Sequence, residues 1–305
     1  MRLGDQRESN NVEDRRGSSG GLGGGFRPAG MGGRGIPLKG GSLVTIAVIV
    51  GIGWLVFGIN PLQMLSMVTG GGGSITQDQS YQQSAPQQTG GGIDDEGKAF
   101  VAKVLGSTED VWDDIFKSAG ETYQPTPLVL FSGVTRSACG TASSASGPFY
   151  CPLDKKVYID LAFYDELKRR FGAPGDMAQA YVIAHEVGHH IQDLTGILPK
   201  FNEMRRSMSR EEANAMSVRV ELQADCYAGV WANRTDQKGM LEAGDIDEAL
   251  NAATQIGDDA IQKRTQGVVV PESFTHGTSA QRRTWFDRGY KTGDLNQCNT
   301  FQGQI

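Results

Sequence analysis

This sequence predicts an α+β domain with a small sheet and a central pair of helices, preceded by one apolar helix able to cross a bilayer. Three observations carry that expectation. β-Rich runs at residues 128–131 and 157–163 come before a series of segments with helical apolar spacing. Glycine, at 42 residues, is concentrated before residue 93, which leaves 93–305 as a domain able to hold one sizeable core. Residues 43–59, LVTIAVIVGIGWLVFGI, carry no charge.

Taken in order, residues 1–42 hold Gly-rich runs and scattered arginines without apolar periodicity. Such a segment has too little apolar surface to offset its ordering entropy, so it is expected to be a disordered tail. The 17 uncharged residues at 43–59 are the short end of a spanning helix. Uncharged flanks extend it to an anchor at 43–60, and Pro61 stops it. Seven Lys/Arg precede this segment and none follows until Lys98. The positive-inside rule then places the N-terminus in the cytoplasm and exports the remainder. Residues 61–92, rich in Gly, Gln and Ser, read as a flexible tether.

Helical spacing is read at 94–105 and 108–119, with Ser107 and Asp110 as a capping box for the second. A strand is expected at 128–131, a turn-rich loop at 137–152 and a strand at 157–163. A helix over 176–195 opens with the Asp176/Gln179 capping box and ends at Gly196, and Pro199 prevents its continuation. Further helices are expected at 209–233, opened by Ser209 and Glu212, at 245–263 and at 279–288. All four cysteines fall on the exported side, so two disulfides are expected. Of three pairings, Cys139–Cys151 and Cys226–Cys298 are favoured: one closes a short Ser/Gly-rich loop and the other ties the C-terminal tail to a helix. A net charge of −6 argues against a general nucleic-acid partner.

Three of the four histidines fall within residues 185–190, HEVGHH. On a helix, His185 and His189 lie about 40° apart, so both imidazoles can reach one tetrahedral zinc ion. Glu186 is placed to act on water at the open side of such an ion as general base. Gly188 costs about 1 kcal/mol of helix propensity, which points to close packing against a neighbour. A catalytic zinc needs a third ligand, and Glu221 is the candidate. Asp225, one turn later, would fix a ligating histidine through a hydrogen bond. The reverse assignment, Asp225 as ligand with Glu221 behind it, stays open. His190 points about 100° away and is either a nearby hydrogen-bonding group or a packing residue. His276, in a loop before the last helix, is either a donor to a developing oxyanion or a surface residue.

The segments at 138–152 (ACGTASSASGPFYCP), 157–164 (VYIDLAFY), 184–192 (AHEVGHHIQ), 221–229 (ELQADCYAG) and 276–282 (HGTSAQR) together resemble the bacterial neutral zinc metallopeptidase family. The likeness covers roughly residues 1 to 300. It implies a zincin-like fold in which His185, His189 and Glu221 match the ligands, Glu186 the general base and Asp225 the supporting acid. It also implies a single-pass protein of the bacterial inner membrane, with the catalytic domain periplasmic or extracellular. By analogy with related zincins, substrate is expected along an edge strand, for which 157–163 is the candidate. The expected activity is zinc-dependent hydrolysis of peptide bonds in protein or peptide substrates. The competing expectation is a zinc-stabilised envelope scaffold or binding module that cuts nothing.

Overall fold

The computed structural model describes residues 1–17 and 95–305. The expected anchor at 43–60, the tether at 61–92 and the later part of the tail lie outside the described residues. Among the described residues, no helix is long and apolar enough to cross a membrane.

A four-stranded sheet forms one layer, in the order β1 (Val12–Asp14), β2 (Leu128–Phe131), β6 (Lys156–Asp160), β5 (Phe149–Cys151). The first three strands run parallel, and β5 pairs antiparallel with β6. All four residues of β2 are buried, which requires cover on both faces. Leu128, Leu130, Val157 and Ile159 face the main core with the helices. Val129, Phe131 and Tyr158 pack on the opposite face with Ala142, from the hairpin β3 (Val134–Ser137) and β4 (Gly140–Ser143).

Eight helices accompany the sheet among the described residues: α1 (Asp95–Ser118), α2 (Ala162–Arg169), α3 (Asp176–Leu194), α4 (Ile197–Met204), α5 (Arg210–Gln237), α6 (Asp245–Gln255), α7 (Asp258–Gln266) and α8 (Ser279–Thr292). α3 packs against α1, α5 and α6, and α5 packs along α8. Ser209 and Glu212 form the expected capping box of α5, with both reciprocal bonds made. The disulfides are Cys139–Cys151 and Cys226–Cys298, as favoured.

Several expectations are corrected. The disordered tail does not begin at residue 1: β1 adds to the sheet, and residues 1–17 join 95–305 in one compact unit. The two helices expected at 94–105 and 108–119 are one. Ser107 donates to the Val104 carbonyl at 2.7 Å and accepts from Trp231 Nε1, so it sits inside α1 rather than capping a new helix. The loop at 137–152 contains most of a hairpin and the edge strand β5. The strand expected at 157–163 ends at Asp160, whose carboxylate accepts the Ala162 N–H at 3.0 Å as α2 begins. Asp176 does not cap α3, because Gly175 holds that place and Glu248 accepts from the Met177 N–H. The helix expected at 245–263 breaks between α6 and α7 at Gly257, where a Cβ would lie 2.3 Å from the Ser279 nitrogen.

Candidate metal centre

Helix α3 carries Tyr181, His185, Glu186, His189 and Gln192, with the aromatic and the two imidazoles at four-residue steps. Helix α5 crosses α3 where Gly188 meets Ala224. A Cβ at Gly188 would lie 3.0 Å from the Ala224 carbonyl oxygen, so the mid-helix glycine sets the approach of the two backbones. This crossing brings Glu221 onto the imidazoles. Its Oε2 lies 3.1 Å from His185 Nε2, and its Oε1 lies 3.4 Å from His189 Nε2. One donor atom from each of the three side chains falls within 4.8 Å of the others.

The outward ring nitrogens are already committed. His185 Nδ1 donates to Asp225 Oδ1 at 2.8 Å, and His189 Nδ1 donates to Gln192 Oε1 at 2.9 Å. The Gln192 amide is itself fixed, because its nitrogen donates to the Val220 carbonyl and to Gln223. Both rings therefore turn Nε2 toward Glu221, the tautomer that a metal ligand needs. Burial opposes charging His185, but Asp225 and Glu221 outweigh it and hold its pKa up to about 10. Burial likewise opposes charge on His189, and Glu221 raises its pKa above the ordinary value. Against the cost of burial, His189, His276 and His185 hold the Glu221 carboxyl well below its ordinary range. Two imidazoles and a carboxylate converging in a buried site are a nitrogen and oxygen donor set that suits zinc, whose binding displaces these protons.

Asp225 is fully buried. It accepts from His185, from Tyr181 at 2.5 Å and from two guanidinium nitrogens of Arg282 at 2.9 Å each. Burial would raise its pKa, but Arg282 and His185 bring it down to about 2. Its oxygens are spent on these partners, so Glu221 is the acid facing the two imidazoles and Asp225 stands behind His185. Arg282 reaches Asp225 because α5 and α8 touch through two glycines. A Cβ on Gly289 would lie 2.0 Å from the Cys226 carbonyl oxygen, and one on Gly229 would lie 2.1 Å from that of Phe286.

The remaining histidines part company. His190 is buried, accepts or donates at 3.1 Å with the Tyr150 hydroxyl, and bonds the Gln124 carbonyl at 2.6 Å. It fastens α3 to β5 and to the chain before β2. His276 is half-exposed and borders the same cleft as His185, Glu186, His189 and Glu221. Its Nδ1 lies 3.1 Å from Asp258 Oδ1, while Asp258 Oδ2 accepts the backbone N–H groups of Thr275, His276 and Gly277. Glu186 is buried yet lines the cleft, and its carboxylate makes no hydrogen bond among the described residues. A second group of acids, Asp176, Asp245 and Glu248, has no imidazole, and Asp176 pairs with the Met1 ammonium at 2.6 Å.

The cleft has a volume of about 420 Å³. Part of its wall is apolar, from Phe149, Phe163, Phe171, Val182, Ile256 and Ile261. The strand at its rim is not 157–163 as expected. β6 is paired on both sides, between β2 and β5, so it has no edge to offer, whereas β5 is an edge strand and its Phe149 and Tyr150 line the cleft. The four side chains that sequence reasoning missed are Tyr181, Gln192, Asp258 and Arg282. Tyr181 and Gln192 had a usable signal, standing four residues before His185 and three after His189 on the same helical face.

These features agree with comparison to known proteins. The family model described as "Putative neutral zinc metallopeptidase" matches residues 1–301. The chain belongs to this family. It is 49% identical to the uncharacterized protein YpfJ of Escherichia coli (strain K12), over the whole of both chains. It is 44% identical to the uncharacterized protein Rv2575 of Mycobacterium tuberculosis (strain ATCC 25618 / H37Rv), over 66% of this chain and 71% of that one. No solved structure matches. The family membership extends through the N-terminal residues that form β1, as well as the helices that carry the donor set.

Proposed function

We propose that the protein is a zinc-dependent peptidase that hydrolyses peptide bonds in protein or peptide substrates, with Glu186 as general base. The observation that carries this reading is the convergence of His185, His189 and Glu221, with Glu186 opening onto the same cleft. When bound, zinc supplies a Lewis acid for the scissile carbonyl and brings the pKa of water down toward about 7.

The residues of the chain divide the rest of the work. Glu186 takes the proton of the attacking water and hands it to the leaving amine. His276, held by Asp258, donates a hydrogen bond to the oxygen that gains charge in the transition state. Asp225 and Gln192 keep the two imidazoles in the ligating tautomer. The free edge of β5 offers backbone groups to an extended substrate, and the apolar wall favours a large apolar side chain beside the cut. The two cysteine pairs support an oxidising, extracytoplasmic location for the domain.

The test is Glu186→Gln in the purified full-length protein. Zinc content should stay at one per chain, while hydrolysis of a denatured protein substrate falls on the order of 10³-fold. A chelator should remove the wild-type activity, and zinc should restore it. Zinc-loaded wild-type protein that leaves unfolded polypeptides uncut would favour the scaffold reading.

A further inference from the structure

We propose that residues 1–17 and the domain at 95–305 lie on the same side of any membrane the protein binds, rather than on opposite sides as the charge bias suggested. The N-terminal segment is a built part of the sheet. β1 pairs in parallel register with β2, Val12 opposite Leu128 and Asp14 opposite Leu130. The Leu128 N–H donates to the Asn11 carbonyl, and the Arg15 N–H to the Leu130 carbonyl, each at 2.8 Å.

The segment before β1 is seated on α1 just as closely. The Ser9 N–H donates to the Ala102 carbonyl at 2.9 Å. Ser9 Oγ and Asn11 Nδ2 reach Glu109 Oε1 at 2.6 and 2.7 Å, and an Arg7 guanidinium nitrogen lies 2.9 Å from Glu109 Oε2. Glu109 is buried, so without these partners its carboxylate would stand uncompensated in the interior. Gly106 records the same fit from the other side. A Cβ there would lie 2.5 Å from the Arg7 carbonyl oxygen, so the helix has been left bare where the N-terminal chain lies against it.

A strand cannot hydrogen-bond its neighbour across about 30 Å of hydrocarbon. Residues 1–17 and 95–305 must therefore lie on one face of the membrane. The charge bias that pointed to a cytoplasmic N-terminus has another origin. Of the seven cationic residues before the apolar segment, four are engaged within the fold: Arg2 with Glu242, Arg7 with Glu109 and Asp110, Arg15 with Glu13, and Arg16 with Asp14. These arginines answer to the sheet and its helices and need not report membrane orientation.

The experiment labels single cysteines introduced into the full-length chain, Glu8→Cys and Gln266→Cys, both at exposed positions. Spheroplasts are treated with a membrane-impermeant maleimide before and after permeabilisation, which shows that each site can react. The two sites should behave alike, both labelled from outside or both only after permeabilisation. Labelling of one from outside and of the other only after permeabilisation would overturn the proposal. The pair Asn10→Cys and Lys263→Cys, also exposed, repeats the comparison if either first variant fails to accumulate.

Discussion

The two sides of the candidate metal centre are built on opposite plans. Behind His185, Asp225 is fully buried and bonded to a histidine and a tyrosine of α3 and an arginine of α8. Across the cleft, His276 is half-exposed in a loop and leans on Asp258, which also gathers three backbone N–H groups. Each side is a histidine held by an aspartate. The difference lies in what else each aspartate supports. Asp225 fastens the helix packing, so its loss should be felt in folding and metal affinity together. Asp258 organises one loop, so its loss should be felt in turnover.

The comparison breaks first at Asp225. Asp225→Ala leaves Arg282 buried without its carboxylate and should cost about 3–5 kcal/mol. Thermal melting should fall by roughly 10 °C or more, and zinc affinity by about 10–100-fold, measured by calorimetry and by metal competition. An unchanged melting point would show that the buried side is not structural. His276→Ala should lower kcat by about 10²-fold, with melting and zinc content unchanged. A matching loss of stability would erase the distinction between the two sides. Asp258→Asn should have a smaller effect, about tenfold in kcat, since the backbone bonds to its other oxygen can persist.

The pH profile sharpens the contrast further. Burial opposes charge on His276, but Glu221 and Asp258 raise its pKa above the ordinary value. Its charged form is therefore fully present at lower pH and is lost as pH rises through that raised pKa. Activity should show an alkaline limb that His276→Gln removes while the acidic limb stays. A limb that survives His276→Gln belongs to another group.

Much of this centre was legible without coordinates. The HEVGHH run needed only helical spacing to align His185 with His189, and Gly188 announced a close crossing whose partner is Ala224. Glu221 could be named as a candidate because a catalytic zinc requires a third ligand. The sequence favoured Glu221 as ligand and Asp225 as its support but left the reverse open, since both acids share one face of α5. The division is made by Arg282, 57 residues further on, which occupies Asp225 and leaves Glu221 to face the imidazoles. The N-terminal strand was illegible for a similar reason. Three residues of half-buried, charged sequence show no strand signal, and only the open edge of β2 makes Val12–Asp14 a strand.

Local chemistry thus determined the helix that holds the histidines, the cap of α5 and the cysteines available for pairing, because each depends on residues a few positions apart. The tertiary structure alone decided which strand forms the sheet's edge beside the cleft, which acid faces the imidazoles and where the first 17 residues belong. Those outcomes rest on contacts between segments far apart in the chain, and the free energy that selects them exists only once the segments have met.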